Sequence, residues 1–281
     1  MSVVHQKNSE LLCAHRATIK HGSGLYVVSL DSDDCLRPDA LELLSGVVAA
    51  YAPDFILFPF SRSLDCEPFE TDDTTFKMGY YEGAGCLGFH RSVFDGRHIS
   101  VWCKCVKLSI LDVTPDYSAY HGLTYAEDLF QLPELMALAH NFYYLDEAMY
   151  FHRDNSEGCT KLYKTEYLTG FSAALDIQMR YAESMGGIYP ELARKSSIRH
   201  IGVLIDVLSK SPMVARGVVR ELAAIRRYAD EVGLFEPRVT GISLRRLVQA
   251  RLLEKKRCGL LYFILRLYDE LSSILIMTIK T

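Results

Sequence analysis

The feature that most restricts how this chain can fold is a junction near its start. The uncharged run Leu25-Tyr26-Val27-Val28-Ser29-Leu30 passes directly into Asp31-Ser32-Asp33-Asp34. The run reads as a buried strand, with β-branched residues at its centre. The three carboxylates that follow must then sit where a strand ends, and they repel one another unless something balances them. A divalent cation would do so, and hard oxygen ligands suit Mg²⁺ or Mn²⁺. Such an ion can neutralise a diphosphate as it leaves. A solvated turn ahead of a helix is an equally good reading of the tetrad alone, because Pro38 fits a first helical turn and aspartate is favoured beside it.

The rest of the chain places that junction in an α/β region. From residue 1 to about 153, short apolar runs alternate with helical stretches. Phe55 to Phe60 reads as a second buried strand, Asp39 to Tyr51 as a helix between the two, and Phe142 to Phe151 as a further, tyrosine-rich strand. After about residue 163 strand signals stop. Helical spacing covers roughly 164–185, 190–210, 213–232, 241–257 and 259–279, punctuated by Gly186-Gly187, Pro190, Pro212, Gly233 and Pro237. The expected architecture is therefore an α/β domain over 1–160 followed by a helical extension over 161–281.

Charge and cysteine usage remove several alternatives. A formal net charge of −4 gives no whole-chain argument for nucleic acid as a partner. The eight cysteines are scattered through a chain too long to need disulfide staples, and its first residues lack a basic-then-apolar export signal, so reduced thiols in the cytoplasm are expected. Cys103 and Cys105 form a C-x-C with no second pair to complete a zinc set, so buried thiols are the simpler reading. A phosphatase using D-x-D-x-T would need threonine at position 35, which here is Cys35.

Several short pieces recur in one order. Asn8, Ala14-His15-Arg16, Gly24-Leu25-Tyr26-Val27-Val28 and Leu30-Asp31-Ser32-Asp33-Asp34 follow one another closely. Trp102-Cys103-Lys104, Ala126-Glu127-Asp128, Tyr150-Phe151-His152-Arg153 and Cys159-Thr160 come later. Together they resemble the pattern of family 2 glycosyltransferases: N-G-G-x-x-x-A-R-N, then G-x-Y-I-x-F-L-D-S-D-D, W-x-K, G-E-D and Y-x-x-R with S-x-T. The resemblance covers about residues 3–160. It implies a GT-A, Rossmann-like sheet and inverting transfer of a sugar from a nucleotide-diphospho-sugar, a UDP-sugar above all, to a glycan or lipid-linked acceptor.

The resemblance also implies roles. Asp33 would be the main metal ligand, with Asp31 at the ribose or the metal. Arg16 would help hold the nucleotide base or phosphate, and Arg153 would lie near the diphosphate. Asp128 would be the general base for the acceptor hydroxyl, with Trp102 and Glu127 near the sugar or acceptor. Simpler duties exist for each: Asp128 could favour a helix N-terminus, Trp102 could fill core, Lys104 could be surface or structural, and Arg153 could pair with Asp154 or Asp146. The histidines at 5, 15 and 152 read as ordinary polar residues.

The pattern is incomplete. The family's opening strand, helix and V-D-D-G-S-T-D stretch have no counterpart, Ser9-Glu10 replaces Gly-Gly, and Ala17 replaces the asparagine after the motif arginine. A sheet lacking its first strands is expected, with an exposed edge and a reduced nucleoside pocket. A non-catalytic relative that binds a partner or membrane is thus the rival reading. Donor and acceptor choice would fall to loops such as 61–80 and 112–124, which carry no transferable code.

The last stretch has its own character. Arg245, Arg246, Arg251, Lys255, Lys256 and Arg257 are opposed only by Glu254, and a helix with a wide apolar face follows. Charges at 266, 269 and 270 argue against spanning a bilayer. Two readings remain: the helix packs on the domain or forms a homodimer, or it lies on an anionic membrane, which would put the chain at the inner face of the plasma membrane.

Overall fold

A computed structural model describes residues 3–7, 10–66, 69–70, 76–111, 125–154, 163–235 and 241–279. The motif residues Asn8, Ser9, Cys159 and Thr160, and the loop 112–124, lie outside the described residues. The chain divides into two compact units, Met1–Ser156 and Glu157–Thr281.

The first unit is built on two sheets. The larger has five strands: β1 (Tyr26–Val28), β3 (Phe55–Leu57), β6 (Gly79–Glu82), β7 (Lys104–Lys107) and β8 (Asn141–Tyr144), in the order β1-β7-β3-β8-β6. The smaller joins β2 (Cys35–Leu36), β9 (Tyr150–Phe151), β4 (Phe60–Ser61) and β5 (Phe69–Glu70) in that order. Its helices are α1 (Glu10–His21), α2 (Ala40–Tyr51), α3 (Ala84–Phe94) and α4 (Glu127–Leu138).

Register explains the layering. Val28 lies opposite Cys105, Cys105 opposite Ile56, Ile56 beside Tyr143, and Tyr143 opposite Tyr80. This row faces α2, where Ala40, Leu44 and Val47 complete a buried cluster. The alternate row, with Phe55, Phe142 and Tyr81 side by side, faces the other way onto α3. There Phe89 meets Phe55 and Phe142 at ring distances of 4.8 and 5.6 Å. Period-two alternation thus builds an apolar layer on each face.

Two of the expected strands are broken, and each break matters. The run 55–60 pairs in the large sheet through Leu57, then in the small sheet from Phe60. Pro59 between them has no N–H to give a ladder, so one sheet stops there. The run 142–151 is divided in the same way, and its two pieces pair parallel with the two pieces of the first run. The expected buried strand 25–30 needs correction. β1 is an edge strand paired only with β7, and Leu25 and Leu30 are both exposed. With no neighbour on its other side among the described residues, its apolar side chains are covered on one flank only.

The second unit consists of α5 (Glu166–Met185), α6 (Tyr189–Ser209), α7 (Ala215–Glu231), α8 (Leu244–Glu254) and α9 (Cys258–Ile279). Gly186 and Gly187 both have positive φ, 67° and 57°, which is why that turn carries two glycines. The Asp206 carboxylate accepts from Arg245 Nη2 at 2.8 Å, Arg246 Nη1 at 2.6 Å and Gln249 Nε2 at 2.7 Å, fastening α8 to α6. No helix of the described residues is long and apolar enough to cross a membrane.

Candidate active site

The large sheet brings the expected residues to one end. β3 and β8 are parallel, and β1 and β3 each run antiparallel to β7, so β1, β3 and β8 share a direction. Their carboxyl ends lie together, the usual place for a site in such a sheet. The acidic tetrad follows β1 there, Trp102 lies two residues before β7, and Tyr150 and His152 lie beyond β8 on and after β9.

Within the tetrad the aspartates have different surroundings. Asp34 is committed to structure: its Oδ2 accepts from the Tyr150 hydroxyl at 2.8 Å and its Oδ1 from the Arg153 amide at 2.8 Å. The Tyr150 oxygen in turn accepts the Asp31 amide at 3.2 Å, and the Asp34 amide donates to the Asp31 carbonyl at 3.2 Å. This knot fixes the turn. Asp33 is exposed and Asp31 half-buried. Burial raises the Asp31 pKa, the charge of His15 opposes that rise, and Asp34 and Asp33 add to it. His15 Nε2 stands 3.9 Å from Asp31 Oδ1.

Asp128 enters from α4. Its Oδ1 accepts the amide of Val101 at 3.0 Å, tying the start of α4 to the loop before Trp102. Burial raises its pKa, the Val101 hydrogen bond and the Lys104 charge oppose that, and Asp31 adds to it. The Asp31 charge is thus felt at Asp128. Glu127 is raised as well, by burial first and then by Asp128. Ala126, directly before this pair, has φ 66°, a left-handed conformation that favours glycine. The glycine of the G-E-D pattern thus has a backbone reason.

Lys104 is fully buried rather than on the surface. Its Nζ donates to the carbonyls of His98 at 2.7 Å and Ser100 at 2.5 Å, clamping the loop that carries Val101 and Trp102. Burial lowers its pKa to about 8, against the opposing effects of Cys103 and Asp128. Trp102 stacks on Tyr150 and on His152 at ring distances of 4.6 and 5.0 Å, with Phe60 edge-on at 5.1 Å. The indole is therefore half-buried packing that also borders the site.

Two expected binding residues sit differently. Arg16 is buried, and its Nη1 donates to Glu134 Oε2 at 3.2 Å, joining α1 to α4. The Arg153 side chain is exposed and makes no ion pair among the described residues. Neither of its suggested partners takes it, since Asp154 lies 4.0 Å from Arg62 and Asp146 accepts from the Tyr144 hydroxyl. Tyr150, from the Y-x-x-R segment, and His15 and His152, expected as ordinary polar residues, also lie here: Tyr150 bonds Asp34, His15 stands near Asp31 and His152 stacks on Trp102. Tyr150 and His152, on β9 and just beyond it, both stack on Trp102.

Among the described residues, no group of three or more His, Cys, Asp or Glu side chains is placed to hold a metal ion. Asp31 and Asp33 are two carboxylates on one turn, the hard oxygen donors that Mg²⁺ or Mn²⁺ takes. The described cysteines are free, with Cys103 and Cys105 buried.

No family model matches the sequence, and no curated protein matches it. Solved structures do match in shape. Residues 1–349 of Staphylococcus aureus TarS superpose with a TM-score of 0.63 at 13% identity, over 95% of this chain and 73% of that one. The same segment in complex with UDP-GlcNAc gives a TM-score of 0.64 at 14% identity, over 96% and 74%. Against a longer TarS structure the TM-score is 0.56, over 91% of this chain and 42% of that one. The chain therefore has a TarS-like glycosyltransferase fold, with an α/β sheet domain and a helical C-terminal region.

Proposed function

We propose that the chain is a glycosyltransferase that moves a sugar, with inversion, from a nucleotide-diphospho-sugar to a hydroxyl of a glycan or lipid-linked acceptor. A UDP-sugar is the donor this reading favours, because TarS of the same fold has been captured with UDP and with UDP-GlcNAc. The observation that carries the proposal is that Asp128, raised in pKa chiefly by burial, also feels the charge of Asp31. One is a half-buried carboxylate of raised pKa, and the other belongs to an acidic turn at the carboxyl end of the sheet.

In this reading the acceptor hydroxyl gives its proton to the Asp128 carboxylate as its oxygen bonds to the anomeric carbon. The bond from that carbon to the diphosphate breaks, and the diphosphate leaves with the electron pair. Burial serves the step, because a carboxylate of raised pKa is a stronger base once ionised. The Val101 amide and the buried Lys104 hold Asp128 and its loop in place, and the half-buried Glu127 faces the acceptor side. Trp102 borders the sugar, and Arg153 is available to the diphosphate. A Mg²⁺ or Mn²⁺ ion held by Asp33 and Asp31 would supply Lewis-acid stabilisation of the leaving group.

One observation favours the rival reading of a non-catalytic protein with this fold: Arg16, assigned to the nucleotide, is buried with its Nη1 on Glu134. Calorimetric titration of UDP with and without Mn²⁺, beside Asp33→Asn, separates the two. Metal-dependent binding that the variant loses is expected. A folded wild-type chain that ignores UDP in the presence of Mn²⁺ would overturn the catalytic proposal.

A further inference from the structure

The second unit displays more apolar surface than its own packing consumes. On α9, Cys258, Leu261 and Leu265 are buried, spaced by three and four residues. Leu260, Phe263, Ile264, Leu267 and Tyr268 keep the same spacing on another side of the helix and are all exposed, Phe263 by 58%. α8 is divided in the same manner. Gln249 and Leu253 point inward, whereas Leu244, Leu247 and Val248 are exposed, Leu244 by 77%. With Leu252 they line an open groove whose remaining walls are Arg251, Lys255 and Arg257.

The charge around this surface is one-sided. Between Leu244 and Tyr268 stand seven Lys and Arg residues against the single acid Glu254, in a chain whose formal net charge is −4. Arg245 and Arg246 are spent on Asp206, and Arg251 on Glu254 at 2.7 Å. Lys255, Lys256, Arg257 and Arg266 are exposed and make no ion pair among the described residues. Leucines, a phenylalanine and a tyrosine beside unneutralised cations are the composition of a helix that lies in the headgroup layer of an anionic bilayer.

We propose that the exposed face of α8 and α9 docks on the surface of an anionic membrane. The apolar rows enter the boundary between headgroups and acyl chains while Lys255, Lys256, Arg257 and Arg266 meet the phosphates. A second copy of the chain fits the face less well, because a symmetric pairing would bring these same cations against one another. The proposal is read from the helical unit alone. It does not depend on the catalytic assignment and fails separately from it.

The test is co-sedimentation of the full chain with vesicles of phosphatidylcholine and with vesicles of equal phosphatidylcholine and phosphatidylglycerol, joined to light scattering of the chain alone. Selective binding to the mixed vesicles is expected. Lys255→Gln with Arg257→Gln should weaken it by about fivefold per charge removed, and Phe263→Ser with Leu267→Ser should abolish it. All four side chains are exposed, so unchanged melting temperatures would show that the variants are folded. Equal binding to both vesicle types, binding to neither, or a dimer that Phe263→Ser with Leu267→Ser converts to monomer would overturn the proposal.

Discussion

The Tyr150 hydroxyl donates to Asp34 Oδ2 at 2.8 Å while accepting the amide of Asp31. One phenol thereby joins the end of the chain's first strand to a strand 116 residues later. It assigns Asp34 to holding the turn.

Tyr150→Phe removes that oxygen and leaves one acceptor and one donor without it. We expect a loss of about 1–3 kcal/mol of stability, the usual cost of stranding partly buried polar groups. UDP affinity should fall with it, because the turn that presents Asp31 and Asp33 relaxes. Denaturant unfolding and calorimetry would read the two effects. Unchanged stability would mean that the turn does not rely on the phenol.

Asp128→Asn tests the base. Its pKa is raised, so ionising it destabilises the fold. That cost is absent below the ordinary aspartate value of about 3.9 and complete above the folded value. Asparagine keeps an oxygen for the Val101 amide but does not ionise. The variant should melt higher than wild type at neutral pH and converge with it in acid, while transfer slows by roughly 10²- to 10⁴-fold. A variant that melts lower at neutral pH, with transfer intact, would make Asp128 a structural residue only.

Lys104→Met should move the pH profile of transfer. The lysine charge lowers the Asp128 pKa, so its loss raises that pKa further, and the acid limb of the rate profile should shift to higher pH. The carbonyls of His98 and Ser100 also lose their donor, at a cost of roughly 1–3 kcal/mol. A rate lowered equally at every pH would indicate a purely structural loss.

Ala126→Gly should stabilise the chain by about 1 kcal/mol, since a side chain at φ 66° is strained and glycine is not. Thermal unfolding checks it. A lower melting temperature would show that the extra freedom of glycine in the unfolded chain outweighs the strain.

The parts of this architecture that could be read in the sequence are those that depend on neighbours in the chain. The helices after residue 163 follow their apolar spacing and glycine punctuation to within a few residues. The acidic turn after the first strand is equally local. What escaped depends on distant partners. Nothing near Asp34 announces that Tyr150 and Arg153, 116 and 119 residues away, hold it. The exposure of Leu25 and Leu30 is likewise a property of the sheet order, which puts β1 at an edge. Arg16 was assigned from a motif, and its ion pair with Glu134, 118 residues away, is set by how α1 meets α4.

The two divided runs, 55–61 and 141–151, lie side by side through both sheets. This couples the order of synthesis to the order of folding. Phe55–Leu57 and Phe60–Ser61 emerge early, yet their parallel partners lie more than eighty residues downstream. Closing so large a loop is slow compared with forming local helices. Until it closes, the aromatic row of Phe55 has only part of its cover, and the first unit is most vulnerable to misassembly during that interval. A chain halted before Asn141 would leave both early strands without a parallel neighbour, so the acidic turn would exist in sequence with no finished sheet to carry it.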